Sequence, residues 1–203
     1  MTAPSISATS SQHFSDLSRT MTIALIGMMG SGKSTVGKIL ADSLGCTFTD
    51  LDAVIEKTAG MSIPEIFSTK GESAFREMEL AELKKFIKKD NEGSFRVLSC
   101  GGGTPAIPEA AHLLREKTVC IYLEVTPEEA ASRLIGNASD EGGTGGVTAR
   151  PLLEGADKES LEERLSNLLS EREQAYLSAA SVTLPCTGLT AGETADEIIF
   201  TCL

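Results

Sequence analysis

Residues 27–34 read Gly27-Met28-Met29-Gly30-Ser31-Gly32-Lys33-Ser34, which fits G-x-x-x-x-G-K-S at every fixed position. An apolar run at 22–27 (TIALIG) leads into it and reads as a buried strand. Residues 33–44 leave it with helical spacing, closed by Gly45. Strand, glycine-rich turn and helix in that order make a phosphate-binding loop. The glycines let backbone N–H groups turn toward phosphate oxygens, and the positive end of the helix points at the same place. Gly30, Ser31, Gly32, Lys33 and Ser34 are therefore the candidate phosphate site. Lys33 is placed to reach the β- and γ-phosphates, and Ser34 to ligate Mg²⁺. The loop names a nucleoside triphosphate, not a reaction. No N-K-x-D motif for guanine occurs, which disfavours a GTPase.

Outward from the loop, short apolar runs alternate with helical periods. Strands are expected at 47–50, 96–99, 119–124 and 182–184. Helical material is expected at 51–67, 71–89, 108–117, 127–134, 160–180 and 191–200. Within 71–89, Phe75, Met78, Leu83, Phe86 and Ile87 form one stripe. This alternation predicts a three-layer α/β fold, a mainly parallel five-stranded sheet with helices on both faces. Residues 136–147 (GNASDEGGTGGV) are too polar and glycine-rich to bury a core face, so they read as part of a mobile lid over about 136–158. Residues 1–20 are Ser/Thr/Ala-rich without hydrophobic periodicity and read as a disordered tail before a domain over 21–203. They lack the apolar core of a secretory signal.

The whole chain, 203 residues, suits one domain. Its 18 Lys+Arg against 29 Asp+Glu leave a net charge of −11, which argues against a nucleic-acid partner or binding to an anionic membrane. The basic run at 84–89 is more simply the solvated face of an amphipathic helix. No apolar run approaches the roughly 18 residues of a membrane span. Five cysteines, an odd number without a C-x-x-C pair, suggest small buried thiols in a reducing, cytoplasmic setting.

Three further clusters carry chemistry. Asp50 and Asp52 flank Leu51 where the second strand ends, and alternate residues there face the same side. One carboxylate could serve Mg²⁺ through water and the other a substrate hydroxyl; an acidic helix N-cap is the competing reading. Arg76 and Glu79 are three apart and can pair on one helix face, either to orient the guanidinium for an anion or as a plain surface pair. Gly101, Gly102 and Gly103 follow the third strand and suggest backbone approached closely by ligand. In the helix at 160–180, Arg172 lies four past Leu168 and seven past Leu165. It therefore points inward, where a charge needs an anionic partner.

In order along the chain, GMMGSGKST, the D-x-D at 50–52, AFREME, CGGG, ARPLL and SEREQAY resemble the shikimate kinase family over residues 22 to about 200. The resemblance implies a P-loop kinase fold, like that of nucleoside monophosphate kinases, that uses ATP and one Mg²⁺ per subunit to phosphorylate the 3-hydroxyl of shikimate. It implies that Gly30 to Thr35 bind the ATP phosphates, that Ser34 and, through water, Asp50 serve the metal, and that Asp52 holds ring hydroxyls and acts as base. Arg76 and Arg172 would clamp the substrate carboxylate within a substrate region of about 51–84 and the last long helix. The Gly101–Gly103 backbone would bond the ring, Arg150 would reach the phosphates from the lid, and Arg133 resembles the residue that packs on adenine. The expected partners are ATP and shikimate alone, acting on a monomer. The nearest rival is a kinase of the same build for another polyol acid, such as gluconate; a non-catalytic ATP-binding module is the other. Two departures stand out: the lid insertion GNASDEGGTGG, and CTGLT at 186–190, where many relatives carry a basic residue on the adenine side.

Overall fold

The computed structural model describes residues 21–89, 95–139 and 158–202. Five strands, β1 (Thr22–Ile26), β2 (Thr47–Asp50), β3 (Arg96–Ser99), β4 (Val119–Glu124) and β5 (Val182–Pro185), form one sheet in the order β2-β3-β1-β4-β5. Every pairing is parallel. The expected mainly parallel sheet is thus parallel throughout. β1 lies at its centre with β3 on one side and β4 on the other, so the chain's order reverses there. Ligands of open α/β sheets bind outside the carboxyl ends of the strands at such a point.

The central strands read as unbroken apolar runs because both sheet faces are covered. Along β1, Ala24 and Ile26 enter one core cluster while Ile23 and Leu25 enter the other. The helices α2 (Leu51–Ala59), α3 (Ile63–Lys88), α4 (Pro108–Lys117), α5 (Pro127–Ser139) and α6 (Lys158–Ala179) supply residues to the first face. The other face is closed by α1 (Lys33–Leu44) and α7 (Ala191–Cys202). Gly37 on α1 lets that helix lie close on β2, since a Cβ there would sit 2.5 Å from the Phe48 ring.

Where the element boundaries differ from expectation, local capping explains it. The helical stretch expected at 51–67 breaks at Gly60, whose φ of 68° ends α2. Ser62 and Glu65 then form a reciprocal capping box that starts α3 eight residues earlier than the expected Gly71. Gly71 itself, at φ 81° and ψ 171°, is a non-helical joint inside α3. A short 3₁₀ turn, Thr104–Ala106, went unforeseen behind the triple glycine. α5 carries on through Ser139, past Leu134 where its end was expected and into the first residues of the expected lid. Arg150, the ARPLL motif and the rest of the lid to 157 lie outside the described residues, as does the 1–20 tail.

Candidate active site

Three loops leave the carboxyl ends of neighbouring strands and meet: the phosphate loop after β1, the D-x-D after β2 and the triple glycine after β3. Gly30 and Gly32 have φ of 81° and 91°, which L side chains rarely adopt. Gly30 also lies against α5, where a Cβ would stand 2.6 Å from the Ala130 carbonyl. Lys33 is 9% exposed. Its Nζ donates to the carbonyls of Gly27 (2.9 Å) and Met28 (2.8 Å), so the ammonium folds back across its own loop. Thr35 opens α1 on the exposed side.

The two carboxylates of the D-x-D do not share one side as strand alternation would have them, because β2 ends at Asp50 and Asp52 already belongs to α2. Asp50 is the helix N-cap of the competing reading, and it also reaches the phosphate loop. Its Oδ1 accepts from the Asp52 backbone N–H at 3.1 Å, capping α2, and its Oδ2 accepts from the Ser34 hydroxyl at 2.6 Å. Ser99 at the end of β3 shares the Ser34 hydroxyl at 3.3 Å. Ser99 was missed, since a serine ending a strand gains meaning only once β3 is known to pair with β1 and β2. Asp52 instead turns to the triple glycine: a Cβ on Gly101 would lie 2.8 Å from its Oδ1.

Arg76 pairs with Glu79, Nη1 to Oε2 at 2.7 Å, and with the more exposed Glu72 at 3.1 Å. Burial pulls the Arg76 guanidinium's pKa down, but Glu79 and Glu72 more than offset it and hold the charge firmly in place. Glu79 is fully buried, so the surface-pair reading fails. Its other oxygen accepts the Thr104 hydroxyl. Thr104, also fully buried, was missed as well; only its place behind three glycines hinted at it. A Cβ on Gly103 would run into the Arg76 guanidinium. Gly102 faces the phosphate loop, with the Met29 N–H 3.6 Å and Arg172 Nη1 4.0 Å from where a Cβ would stand. Arg172 points inward from α6, as its spacing predicted, and its charge acts on the buried phenol of Tyr176.

Arg133 lies on the other side of the phosphate loop. Its guanidinium donates to the carbonyls of Ser31, Cys186 and Leu189 and pairs with Glu129 at 3.0 Å. It thereby ties α5 to the phosphate loop and to the CTGLT loop. Cys100 lies within electrostatic reach of Lys33, Asp52 and Glu79, but burial pushes its thiol well up and leaves it protonated. Among the described residues, no helix is long and apolar enough to cross a membrane. No group of three or more His, Cys, Asp or Glu that could hold a metal occurs among them either.

Known proteins resemble this chain in sequence and fold. A family profile described as "Shikimate kinase" matches residues 29–202. The shikimate kinase of Chlorobium chlorochromatii is 36% identical over 181 residues, 87% of each chain. That of Mycobacterium avium is 42% identical over 158 residues, covering 78% of this chain and 80% of that protein. Among solved structures, the shikimate kinase of Acinetobacter baumannii in complex with shikimate superposes with a TM-score of 0.76 at 30% identity, over 91% of this chain and 94% of that one. With the phosphate loop, the paired aspartates and the triple glycine gathered at one end of the sheet, and with matches spanning most of its length, the chain belongs to the shikimate kinase family.

Proposed function

We propose that the chain transfers the γ-phosphoryl group of ATP to the 3-hydroxyl of shikimate, a step toward chorismate and the aromatic amino acids. The observation that carries this is the convergence of phosphate loop, Asp52, Arg76 and the triple glycine within a few ångströms. Such a reaction needs positioning and charge neutralisation more than covalent chemistry. Gly30–Thr35 hold the phosphates. Lys33 swings from its carbonyl partners to the transferring oxygens. Asp52 orients the 3-hydroxyl and accepts its proton late in the transfer. Arg76 and Arg172 clamp the carboxylate, because a guanidinium fork matches its two oxygens. Gly101–Gly103 bond the ring through their backbone. Arg150 reaches the phosphates from the lid, and Arg133 lines the adenine side.

Mg²⁺ fits the donors present, since Ser34, Asp50 and Ser99 bring hard oxygens together beside the phosphate loop. Ser34 would hold it directly and Asp50 through water, with phosphates and water completing its shell. Bound there, it would neutralise charge on the β- and γ-phosphates. We take the chain to be a cytoplasmic monomer; five free cysteines support the reducing setting.

The test is ADP release by the full-length chain with shikimate, with gluconate and without acceptor. Release that depends on shikimate, with the phosphate found on the 3-oxygen, is expected. Equal release with gluconate, or ATP binding without acceptor-dependent turnover, would overturn the reading.

A further inference from the structure

Each of the three glycine carbonyls at 101–103 is held, but not in the same way. The 3₁₀ turn behind them secures two: the Thr104 N–H donates to Gly101 O at 3.1 Å and the Ala106 N–H to Gly103 O at 3.0 Å. The middle one, Gly102 O, is held from far along the chain, by the hydroxyl of Tyr176 on α6 at 2.6 Å. Glycine has the softest backbone of any residue, so a peptide between two glycines is the one most in need of an anchor.

A trans peptide is planar, and its N–H points away from its C=O. Pinning Gly102 O therefore aims the Gly103 N–H, just as pinning Gly101 O aims the Gly102 N–H. Both donors then face away from the groups that hold their carbonyls. Tyr176 also lies one helical turn past Arg172. Burial pushes the Tyr176 phenol's pKa up, and the Arg172 guanidinium beside it pulls part of the way back, so the two side chains touch electrically. The ring is fixed from behind by Tyr122, centroid to centroid at 5.0 Å, and is only 1% exposed.

We infer that Tyr176 is a positioning residue for the acid substrate: one phenol sets the direction of the Gly102–Gly103 peptide and steadies Arg172, coupling the ring-reading backbone to a carboxylate-reading side chain. This rests on the reading that Gly102, Gly103 and Arg172 hold shikimate. Tyr176 touches no substrate atom itself; it keeps two separate contacts in register. A merely structural phenol would stabilise the core without favouring one substrate over the other.

Tyr176→Phe keeps the ring and removes only the hydroxyl. We expect KM for shikimate to rise about 3- to 10-fold, the range of one net hydrogen bond, with KM for ATP unchanged. Tyr122→Phe removes a hydroxyl from the other ring of the same buried pair and is expected to leave both KM values alone. Arg172→Lys, measured alongside, is expected to raise KM for shikimate, and in the Tyr176→Phe/Arg172→Lys double variant the rise should be smaller than the product of the single effects. Thermal melts of all four keep loss of fold apart from loss of recognition. An unchanged KM for shikimate in Tyr176→Phe while Arg172→Lys is impaired overturns the role of Tyr176 and leaves the substrate reading standing. Matching shifts for both substrates, or the same shift in Tyr122→Phe, reduces Tyr176 to a packing residue. If Arg172→Lys is also unaffected, the substrate reading fails and takes this role with it.

Discussion

The fully buried carboxylate of Glu79 stands 2.7 Å from Arg76 Nη1, and its other oxygen is taken by the buried Thr104 hydroxyl. An ionised group buried this deeply persists only if its lone pairs are met, and here an arginine and a hydroxyl meet them from opposite sides. The result is a guanidinium held at one edge of the pocket with its remaining donors available for a ligand. Glu79→Gln keeps the shape and removes the charge. It should raise KM for shikimate about 10- to 100-fold, the worth of a hydrogen bond to a charged group, and spare KM for ATP. Steady-state kinetics in both substrates checks this; a loss confined to ATP would contradict it.

Lys33 rests on the carbonyls of Gly27 and Met28 at 2.9 and 2.8 Å. Those contacts keep the loop's charge satisfied before nucleotide arrives, and the phosphates must outcompete them. Lys33→Ala should therefore lower kcat by at least about 10²-fold, as expected for removing a preorganised charge donor, while the loop keeps its fold. Asp52→Asn should also cut kcat severely, because an amide cannot take the hydroxyl proton. Circular dichroism with kinetics separates the two effects, and near-wild-type turnover in either variant sinks the role assigned to that residue.

The triple glycine makes a steric claim. A Cβ on Gly101 would stand 2.6 Å from Glu79 Oε1 and 2.8 Å from Asp52 Oδ1, and one on Gly103 would strike the Arg76 guanidinium. Gly101→Ala should displace both carboxylates and lower kcat as well as raising KM for shikimate. Gly103→Ala should act on Arg76 alone and show mainly as KM. A calorimetric titration of each with shikimate gives the binding half of that split, and identical profiles for the two variants would argue against it.

Much of this was legible in the chain itself. Central strands covered on both faces leave continuous apolar runs, so β1 and β4 stand out. The phosphate loop announces itself because no common turn needs that spacing of Gly, Lys and Ser. Arg172 could be placed inward from Leu165 and Leu168 alone. What stayed hidden depends on contacts between distant segments. The Arg76–Glu79 pair could be read from its spacing, but whether it lay on the surface or in the core could not, because that depends on Thr104 packing beside Glu79. Ser99 and Tyr176 gain roles only once β3 lies beside β1 and α6 crosses the glycine turn. The boundary read at Gly71 survives as a non-helical joint within α3, while the capping box of Ser62 and Glu65 that starts the helix earlier went unread.

Alkaline stability offers a check on the buried thiols that is independent of catalysis. Burial pushes Cys120 up to about 12, and Cys186 and Cys202 up to about 11, from an ordinary value near 9. The folded chain therefore keeps these protons at a pH where the unfolded chain has released them. A group raised in this way contributes stability that is complete below about pH 9 and is lost as pH climbs through its folded value. Each thiol should steepen the fall by up to about 1.4 kcal/mol per pH unit within its own window. Tyr122, also raised by burial, adds to the trend at the upper end. The urea midpoint should hold steady from pH 7 to 8.5 and then drop by pH 10.5. Lysine titration falls in the same range, so the diagnostic comparison is a Cys186→Ala/Cys202→Ala variant, expected to show a shallower fall than the parent. Parallel curves for the two proteins would mean that the thiols are not the groups being read.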